Sequence, residues 1–271
     1  MRLLALGQEA WTSTTEYGQR NHRTEVREEP GQMDDSPDSE FYVLREKKLL
    51  DEFDQHAVWW QQQLVAAFDE AFASDTVRAA RSRFNNLLAT LPYIGGDENH
   101  LTANLLDAAR CLALYQVMRA GGKTAAQTGK VLYDAILARG RQASAEAWAG
   151  KRLTDKELME RRRQRALRSQ RRAHPDDWVY EFVPGDGTTY DYGYDFSECA
   201  AQKLFHRLGA DEFLPFYCFL DFAASAVWGL GLNRSKTLAH GDPICNHRFK
   251  RGGQTARSWP PRFLCHLEDS G

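Results

Sequence analysis

The chain of 271 residues has no long apolar segment, no CxxC pair and almost no excess of charge of either sign. No stretch approaches the roughly 20 apolar residues that a membrane helix needs. A net charge of −2 provides no general attraction to nucleic acid or to an anionic membrane. Five cysteines at irregular spacings do not form a disulfide framework. These absences favour a folded cytoplasmic protein with reduced cysteines and with neither nucleic acid nor a membrane as partner.

The first 40 residues differ in composition from the rest. A short apolar start is followed by the polar run "TTEYGQRNHRTEVREEPGQMDDSPDSE", which is too polar for a signal peptide and punctuated by Pro and Gly. We expect residues 1–40 to be a disordered tail, and Met33 is a second candidate for the start of translation. Residues 41–271 are expected to form one domain, with a helical part at 41–172 and a part at 173–251 that carries the site.

The helical part shows apolar residues at spacings of three and four. The segment "REKKLLDEFDQHAVWWQQQLVAAFDEAF" predicts one amphipathic helix with Val58 on its apolar face. A turn follows at Pro92–Gly96, and Thr102 is predicted to cap the next helix. A further helix is predicted to end at Gly140.

The segment 151–172 holds ten basic and three acidic residues. No aromatic residue is interleaved with these charges, as a nucleic-acid reader would require. The pattern predicts a basic helix whose side chains face solvent. A non-enzymatic alternative, in which this segment binds an acidic partner, leaves the residues described below unexplained.

The composition changes to aromatic and β-branched residues at Asp177. The segment "WVYEFVPGDGTTYDYGYDF" predicts a hairpin of strands 178–183 and 188–194. A helix follows, and "SKTLAHGDPICNHRFKR" predicts two more short strands joined by the turn "HGDP". We therefore predict an α+β fold, in which N-terminal helices pack on a small antiparallel sheet formed by C-terminal hairpins.

The helix at "PFYCFLDF" places a thiol and a carboxylate on one face. Cys218 and Asp221 lie three residues apart, which is less than one helical turn. A carboxylate among aromatic residues is costly to bury unless a cation pairs with it. Arg234 is the nearest candidate for that cation in the sequence.

The residues after this helix supply further candidate groups. Cys245 and His247 alternate along a strand and are predicted to share a face. A cysteine–histidine pair can act as a nucleophile, since imidazole can take the thiol proton. A zinc set of Cys218, His240, Cys245 and His247 is the alternative, although its spacing matches no closed structural site. Tyr192 belongs to a row of alternating tyrosines that either lines a pocket or forms an ordinary aromatic sheet face.

Three segments resemble the L-2-amino-thiazoline-4-carboxylic acid hydrolase family, namely "LPYIGGDENHLTANLLDAARCLALYQVMRAGG", "HPDDWVYEFVPGDGTTYDYGYDFSEC" and "PFYCFLDFAASAVWGLGLNRSKTLAHGDPICNHRFK". The likeness extends from about Phe41 to Arg251. Its most specific part is an ordered string of residues: Cys218, Asp221, Arg234, Thr237, Gly241, Cys245 and Arg248. Asn246 stands where the family is expected to have an acidic residue, which bears on the exact substrate.

The resemblance implies a hydrolase that opens a small cyclic C–N substrate to a carbamoyl-cysteine type product. No cofactor is expected, no residue is assigned as a metal ligand, and the sequence leaves open whether a metal is required. The catalytic candidates are Cys218, Asp221, His240, Cys245 and His247. The candidates for substrate binding are Asn233, Arg234, Thr237 and Tyr192, with Arg234 suited to a substrate carboxylate. The rival interpretation is a non-catalytic sensor domain of the kind associated with vinyl reductases, which would bind an apolar ligand. A homodimer interface near Trp59 and Trp60 is a further expectation.

Overall fold

The computed structural model describes residues 40–142, 155–256 and 259. The expected disordered tail lies outside these residues except for Glu40. None of the helices in this part of the chain is both long and apolar enough to cross a membrane. The cysteines found there, at positions 111, 199, 218 and 245, are free thiols.

The described residues form seven α-helices and four strands, which confirms the predicted α+β class. The helices are α1 (Glu46–Ala67), α2 (Glu70–Leu88), α3 (Thr102–Ala120), α4 (Ala125–Gln142), α5 (Asp155–Ser169), α6 (Ala200–Arg207) and α7 (Leu214–Val227). The strands are β1 (Val179–Pro184), β2 (Tyr192–Glu198), β3 (Leu230–Asn233) and β4 (Cys245–Arg251). The strands form one antiparallel sheet in the order β1-β2-β4-β3.

The first predicted helix is in fact two helices. The break falls at Asp69, whose carboxylate accepts the backbone N–H of Phe72 at 2.7 Å and caps α2. This cap allows α2 to fold back and pack on α1. The prediction for Val58 was also wrong: its side chain is 54% exposed, and Ala57 occupies the buried stripe instead.

The tryptophan pair on α1 lies against the helical core. Trp60 is buried, and Trp59 is partly buried and packs on the same apolar cluster. The homodimer interface expected at this place stays a prediction.

The turn predicted from the glycines before α3 is present, but the predicted helix cap at Thr102 is not. Gly95 and Gly96 have φ values of 104° and 53°, which favour glycine. A Cβ on Gly96 would lie 2.6 Å from the ring of Phe41, so the turn also requires a residue without a side chain at position 96. Thr102 is the first residue of α3 and donates its hydroxyl to the carbonyl of Gly96 at 2.7 Å, so it does not cap the helix.

The first hairpin has a longer connection than predicted. The second strand begins at Tyr192, because the carboxylate of Asp186 accepts the backbone N–H groups of Thr188, Thr189 and Tyr190. These bonds at 2.7–3.1 Å hold residues 188–190 in a turn and keep them out of the sheet.

The last hairpin also differs from its prediction. Its first strand is β3, which precedes the segment "SKTLAH", and residues Leu238–His240 of that segment form a 3-10 turn. Thr237 accepts the N–H of Ala239 through its hydroxyl, and Asp242 accepts the N–H of Thr237 at 2.8 Å. Local side-chain bonds thus replace the strand ladder in this segment.

The basic segment is not simply a solvated helix. α5 packs against β1 and buries Arg162 and Ala166, which are only 5% and 3% exposed. The prediction that the whole segment is surface was therefore wrong for this face of α5. Its other face stays exposed, for example at Arg168.

Candidate active site

The site forms where α7 covers one face of the sheet. Cys245, His247 and Phe249 alternate along β4 and are buried, while Asn246 and Arg248 between them are partly exposed. This alternation confirms that Cys245 and His247 share a face. α7 packs on β3, and its residue Asp221 meets this face of the sheet.

A carboxylate, an imidazole and a guanidinium meet at the centre of the site. Arg234 donates Nη1 to Oδ2 of Asp221 at 2.8 Å, which confirms the predicted pairing of these two residues. The Nε2 atom of His247 lies 3.3 Å from the same oxygen and 3.2 Å from Nη1 of Arg234. Nη2 of Arg234 donates to the backbone carbonyl of Cys218 at 2.8 Å, so the arginine also ties the end of β3 to α7.

The three side chains of this cluster differ in access to water. The side chains of Arg234 and His247 are only 2% and 5% exposed, whereas that of Asp221 is 19% exposed. Water therefore reaches the cluster most readily at the carboxylate. The charges of Asp221 and Arg234 stabilise each other, because neither charge is well solvated alone.

Burial alone would raise the pKa of Asp221. The hydrogen bond with His247 and the charge of Arg234 outweigh that burial, so the pKa of Asp221 falls below its ordinary value. Burial lowers the pKa of His247, and the charge of Arg234 adds to this effect against the opposing hydrogen bond to Asp221. At neutral pH the cluster is thus an ionised carboxylate, a neutral imidazole and a guanidinium.

The second ring nitrogen of His247 is the one that does not contact Asp221 or Arg234. Nδ1 is buried and has no hydrogen-bond partner among the described residues, while a weaker interaction with the backbone of Cys245 favours the protonated imidazole. When Nε2 carries the proton and donates it to Asp221, Nδ1 presents a lone pair and can act as a base. In the other tautomer Nε2 accepts from Arg234 and Nδ1 is a donor. Asp221 favours the first tautomer, because a carboxylate oxygen attracts an N–H group and repels the lone pair of a ring nitrogen.

The two cysteines of the site occupy different surroundings. Burial raises the pKa of the Cys218 thiol well above its ordinary value, so this thiol is protonated at neutral pH. The sulfur of Cys245 accepts the backbone N–H of Leu238 at 3.1 Å and lies 3.4 Å from the hydroxyl of Thr237. Cys218 joins the charged cluster through its backbone carbonyl.

The remaining predicted site residues are spread around this cluster. Tyr192 is buried and stacks on Phe249, with ring centroids 5.1 Å apart. Thr237 is buried at the start of the 3-10 turn. Asn233 and His240 are exposed. The roles predicted for all of these residues, and for Arg234 with a substrate carboxylate, stay predictions.

Sequence reasoning missed one buried cation on the same face of the sheet. Arg162 donates Nη1 to the hydroxyl of Tyr194 at 2.7 Å, and its guanidinium carbon lies 4.1 Å from the ring centroid of Tyr192. The sequence contained a pattern that could have identified Arg162 as buried. Met159, Arg162 and Ala166 follow a helical spacing of three and four, which marks one face of α5 as buried.

No group of three or more His, Cys, Asp or Glu side chains within residues 40–142 and 155–256 is arranged to hold a metal ion. The zinc set considered from the sequence is therefore not assembled among these residues. His240 is exposed, while Cys245 and His247 are buried.

The fold and the site together define an α+β domain with a buried Asp–His–Arg cluster between a helix and an antiparallel sheet. The family model for L-2-amino-thiazoline-4-carboxylic acid hydrolase matches residues 101–249, more than half of the chain. The protein belongs to this family. The match contains α3, α7, the four strands to Phe249 and the whole charged cluster. Neither a curated protein nor a solved structure gives a significant match.

Proposed function

We propose that the protein hydrolyses a C–N bond of a small cyclic amidine, in the manner that its family name describes for 2-amino-thiazoline-4-carboxylate. The observation that carries this proposal is the Asp221–His247 pair with an unpartnered, buried Nδ1 atom. A neutral imidazole oriented by a carboxylate is a suitable general base near pH 7. Family membership supports the reaction class.

The reaction uses one water molecule. Nδ1 of His247 takes a proton from the water, and the water oxygen bonds to the amidine carbon. The resulting tetrahedral intermediate collapses as the bond from this carbon to the ring nitrogen breaks. The imidazolium returns its proton to the ring nitrogen, and the hydroxyl proton of the intermediate passes to the same nitrogen as the carbonyl forms. This nitrogen therefore leaves as an amine that carries both protons of the water. The product is a carbamoyl group on the sulfur of a cysteine-like molecule.

Asp221 and Arg234 act on this step through His247. The carboxylate holds the imidazole in one tautomer and stabilises the imidazolium that forms when the water proton is taken. Arg234 keeps the carboxylate ionised by lowering its pKa. Both are positioning residues in this proposal, because their contacts go to protein groups.

Water is favoured over a thiol as the nucleophile. The protonated thiol of Cys218 would need a base to become a nucleophile. The hydrogen bond that connects Cys218 to the charged cluster is made by its backbone carbonyl. The charged cluster also disfavours the sensor interpretation, since an apolar ligand does not require buried ionised groups. The function that the site supports best is thus hydrolysis, with Cys218 bonded to the charged cluster through its backbone carbonyl.

The test is turnover of L-2-amino-thiazoline-4-carboxylate and a panel of cyclic amidines, followed by mass spectrometry. We expect a product heavier by one water, and a loss of rate in His247→Gln of roughly 100-fold or more. His206→Gln is the matched control, because His206 also pairs with an aspartate, Asp211 at 3.0 Å, but is exposed. The control should keep the wild-type rate.

Two results would overturn the proposal. No product from any substrate, together with stabilisation by apolar compounds, would favour the sensor interpretation. A larger loss in Cys218→Ser or Cys245→Ser than in His247→Gln would make a thiol the nucleophile. Parallel assays with and without a chelator report whether a metal contributes.

A further inference from the structure

We infer that Trp259 is a positioning residue for the Asp221–Arg234 pair of the site. The inference rests on the proposed function for its effect on turnover, whereas the contacts of the pair can be tested without a substrate. Trp259 lies outside residues 101–249, which the family model matches. Its support is therefore an addition to the part of the chain that defines the family.

Arg234 follows β3 in the chain, but three groups of α7 hold its guanidinium. Nη1 donates to the carboxylate of Asp221 at 2.8 Å, and Nη2 donates to the carbonyl of Cys218 at 2.8 Å. The guanidinium carbon also lies 5.1 Å from the ring centroid of Phe222, which is a cation–π contact. The position of α7 therefore decides how Arg234 meets Asp221.

A row of three aromatic rings connects Trp259 to this guanidinium. The ring of Trp259 meets that of Phe219 at 65°, with centroids 5.7 Å apart. Phe219 in turn stacks on Phe222 at 4.9 Å, and both phenylalanines are buried. Aromatic pairs at these separations stabilise one another beyond the burial of their surface. The row ends at Phe222, whose ring contacts Arg234.

Trp259 also fastens α7 to α4. Its ring centroid lies 5.3 Å from that of Tyr133 on α4 and 6.1 Å from that of Phe216 on α7. Gly129 on α4 leaves room for the indole, since a Cβ at this position would lie 2.9 Å from Cη2 of Trp259. Removal of the indole would therefore open a gap between the two helices and loosen α7.

The strand that leads to Arg234 has a fastening of its own. β3 is an edge strand of the sheet, and Thr255 lies along it. The hydroxyl of Thr255 accepts the N–H of Leu232 at 2.8 Å and donates to the carbonyl of Leu230. These bonds satisfy backbone groups at the edge and hold β3 in place. A displacement of α7 would therefore appear as a change in the contact between Asp221 and Arg234.

The test is the NMR spectrum of the Arg234 side chain in the full chain without substrate. The two Nη atoms give separate nitrogen resonances when hydrogen bonds block rotation of the guanidinium, and one averaged resonance when it rotates. We expect separate resonances in the wild type and an averaged resonance in Trp259→Leu. Phe222→Leu should give the same averaged resonance, because it removes the ring that contacts the guanidinium.

Phe84→Leu is the matched control. Phe84 is a buried ring of the helical layer, and the guanidinium carbon of Arg110 lies 5.4 Å from its centroid. The control loses a comparable ring and a comparable cation–π contact, so its Tm should fall while Arg234 keeps separate resonances. Trp259 is only partly buried, so Trp259→Leu keeps the test available if Phe222→Leu does not fold. Separate Arg234 resonances in Trp259→Leu would overturn the inference, as would an averaged resonance in the control or the wild type.

Kinetics separate this inference from the proposed function. Asp221 acts on proton transfer through His247, so we expect Trp259→Leu to lower kcat roughly 3- to 30-fold with little change in KM. The expected response of Arg234 in a protein that turns over no substrate would support the inference and overturn the proposed function. Turnover that depends on His247, with no response of Arg234 to Trp259→Leu, would overturn the inference and leave the proposed function standing.

Discussion

Replacement of Asp221 by asparagine should destabilise the fold strongly, because it leaves a buried guanidinium without its counter-charge. The side chain of Arg234 is 2% exposed, so water cannot replace the carboxylate. Removing one partner of a fully buried pair costs about 3–5 kcal/mol. Asp221 is 19% exposed, and asparagine can still accept one hydrogen bond. We therefore expect a loss in the free energy of unfolding of roughly 2–4 kcal/mol.

The assay is urea denaturation of Asp221→Asn beside a matched control. Arg248 and Asp195 form a second arginine–aspartate pair on the sheet, at 2.6 Å, with side chains 23% and 25% exposed. Asp195→Asn should cost about 1 kcal/mol or less, since this pair is partly solvated. Equal losses in the two variants would refute the argument that burial of Arg234 makes its counter-charge essential.

The pH dependence provides a second check on Asp221. Its pKa is lower in the folded state than in the unfolded chain, so ionisation stabilises the fold. The contribution is fully present above about pH 4, the unfolded value, and is lost as the pH falls through the lower folded value. The stability difference between wild type and Asp221→Asn should shrink in acid, and a constant difference would contradict the account.

Further predictions concern the helical layer and the thiol. Burial raises the pKa of Asp107 to about 6 against the opposing charge of Arg110, so this group costs stability as the pH rises from about 4 to 6. Urea titrations should show the wild type losing stability relative to Asp107→Asn across this range, and a flat difference would contradict this. Gly129→Ala should lower stability by roughly 1–3 kcal/mol, since the new Cβ would lie 2.7 Å from Cβ of Phe216, and a stabilised variant in the same assay would be contrary. The Cys218 thiol should resist iodoacetamide at pH 7.5 in the native state, because burial raises its pKa; rapid alkylation seen by peptide mass spectrometry would show that it ionises.

The ion pair at the centre of the site could be predicted from the sequence, because burying an unpaired carboxylate is energetically costly. A carboxylate on an apolar helix needs a cation, and the nearest one, Arg234, does pair with Asp221. The shared face of Cys245 and His247 followed from strand alternation. Both inferences concern residues that are close together in the chain, and the regular geometry of helices and strands can be predicted from the sequence.

Contacts between distant segments could not be predicted in the same way. Arg162 is 32 residues from Tyr194, and nothing in a basic helix specifies which strand it covers. The contact of His247 with Asp221 likewise depends on how α7 lies over the sheet. The start of β2 was misplaced because the side chain of Asp186 holds the preceding residues in a turn.

His247, oriented by Asp221, is the base that we propose for the hydrolytic site. The most direct test is kcat/KM against pH for ring opening of L-2-amino-thiazoline-4-carboxylate by the wild type and by His247→Gln. We expect an acidic limb in the wild type, with its midpoint below the ordinary pKa of histidine because burial lowers the pKa of His247, and a large loss of rate without that limb in the variant. A variant with the wild-type rate and the same acidic limb would contradict the claim.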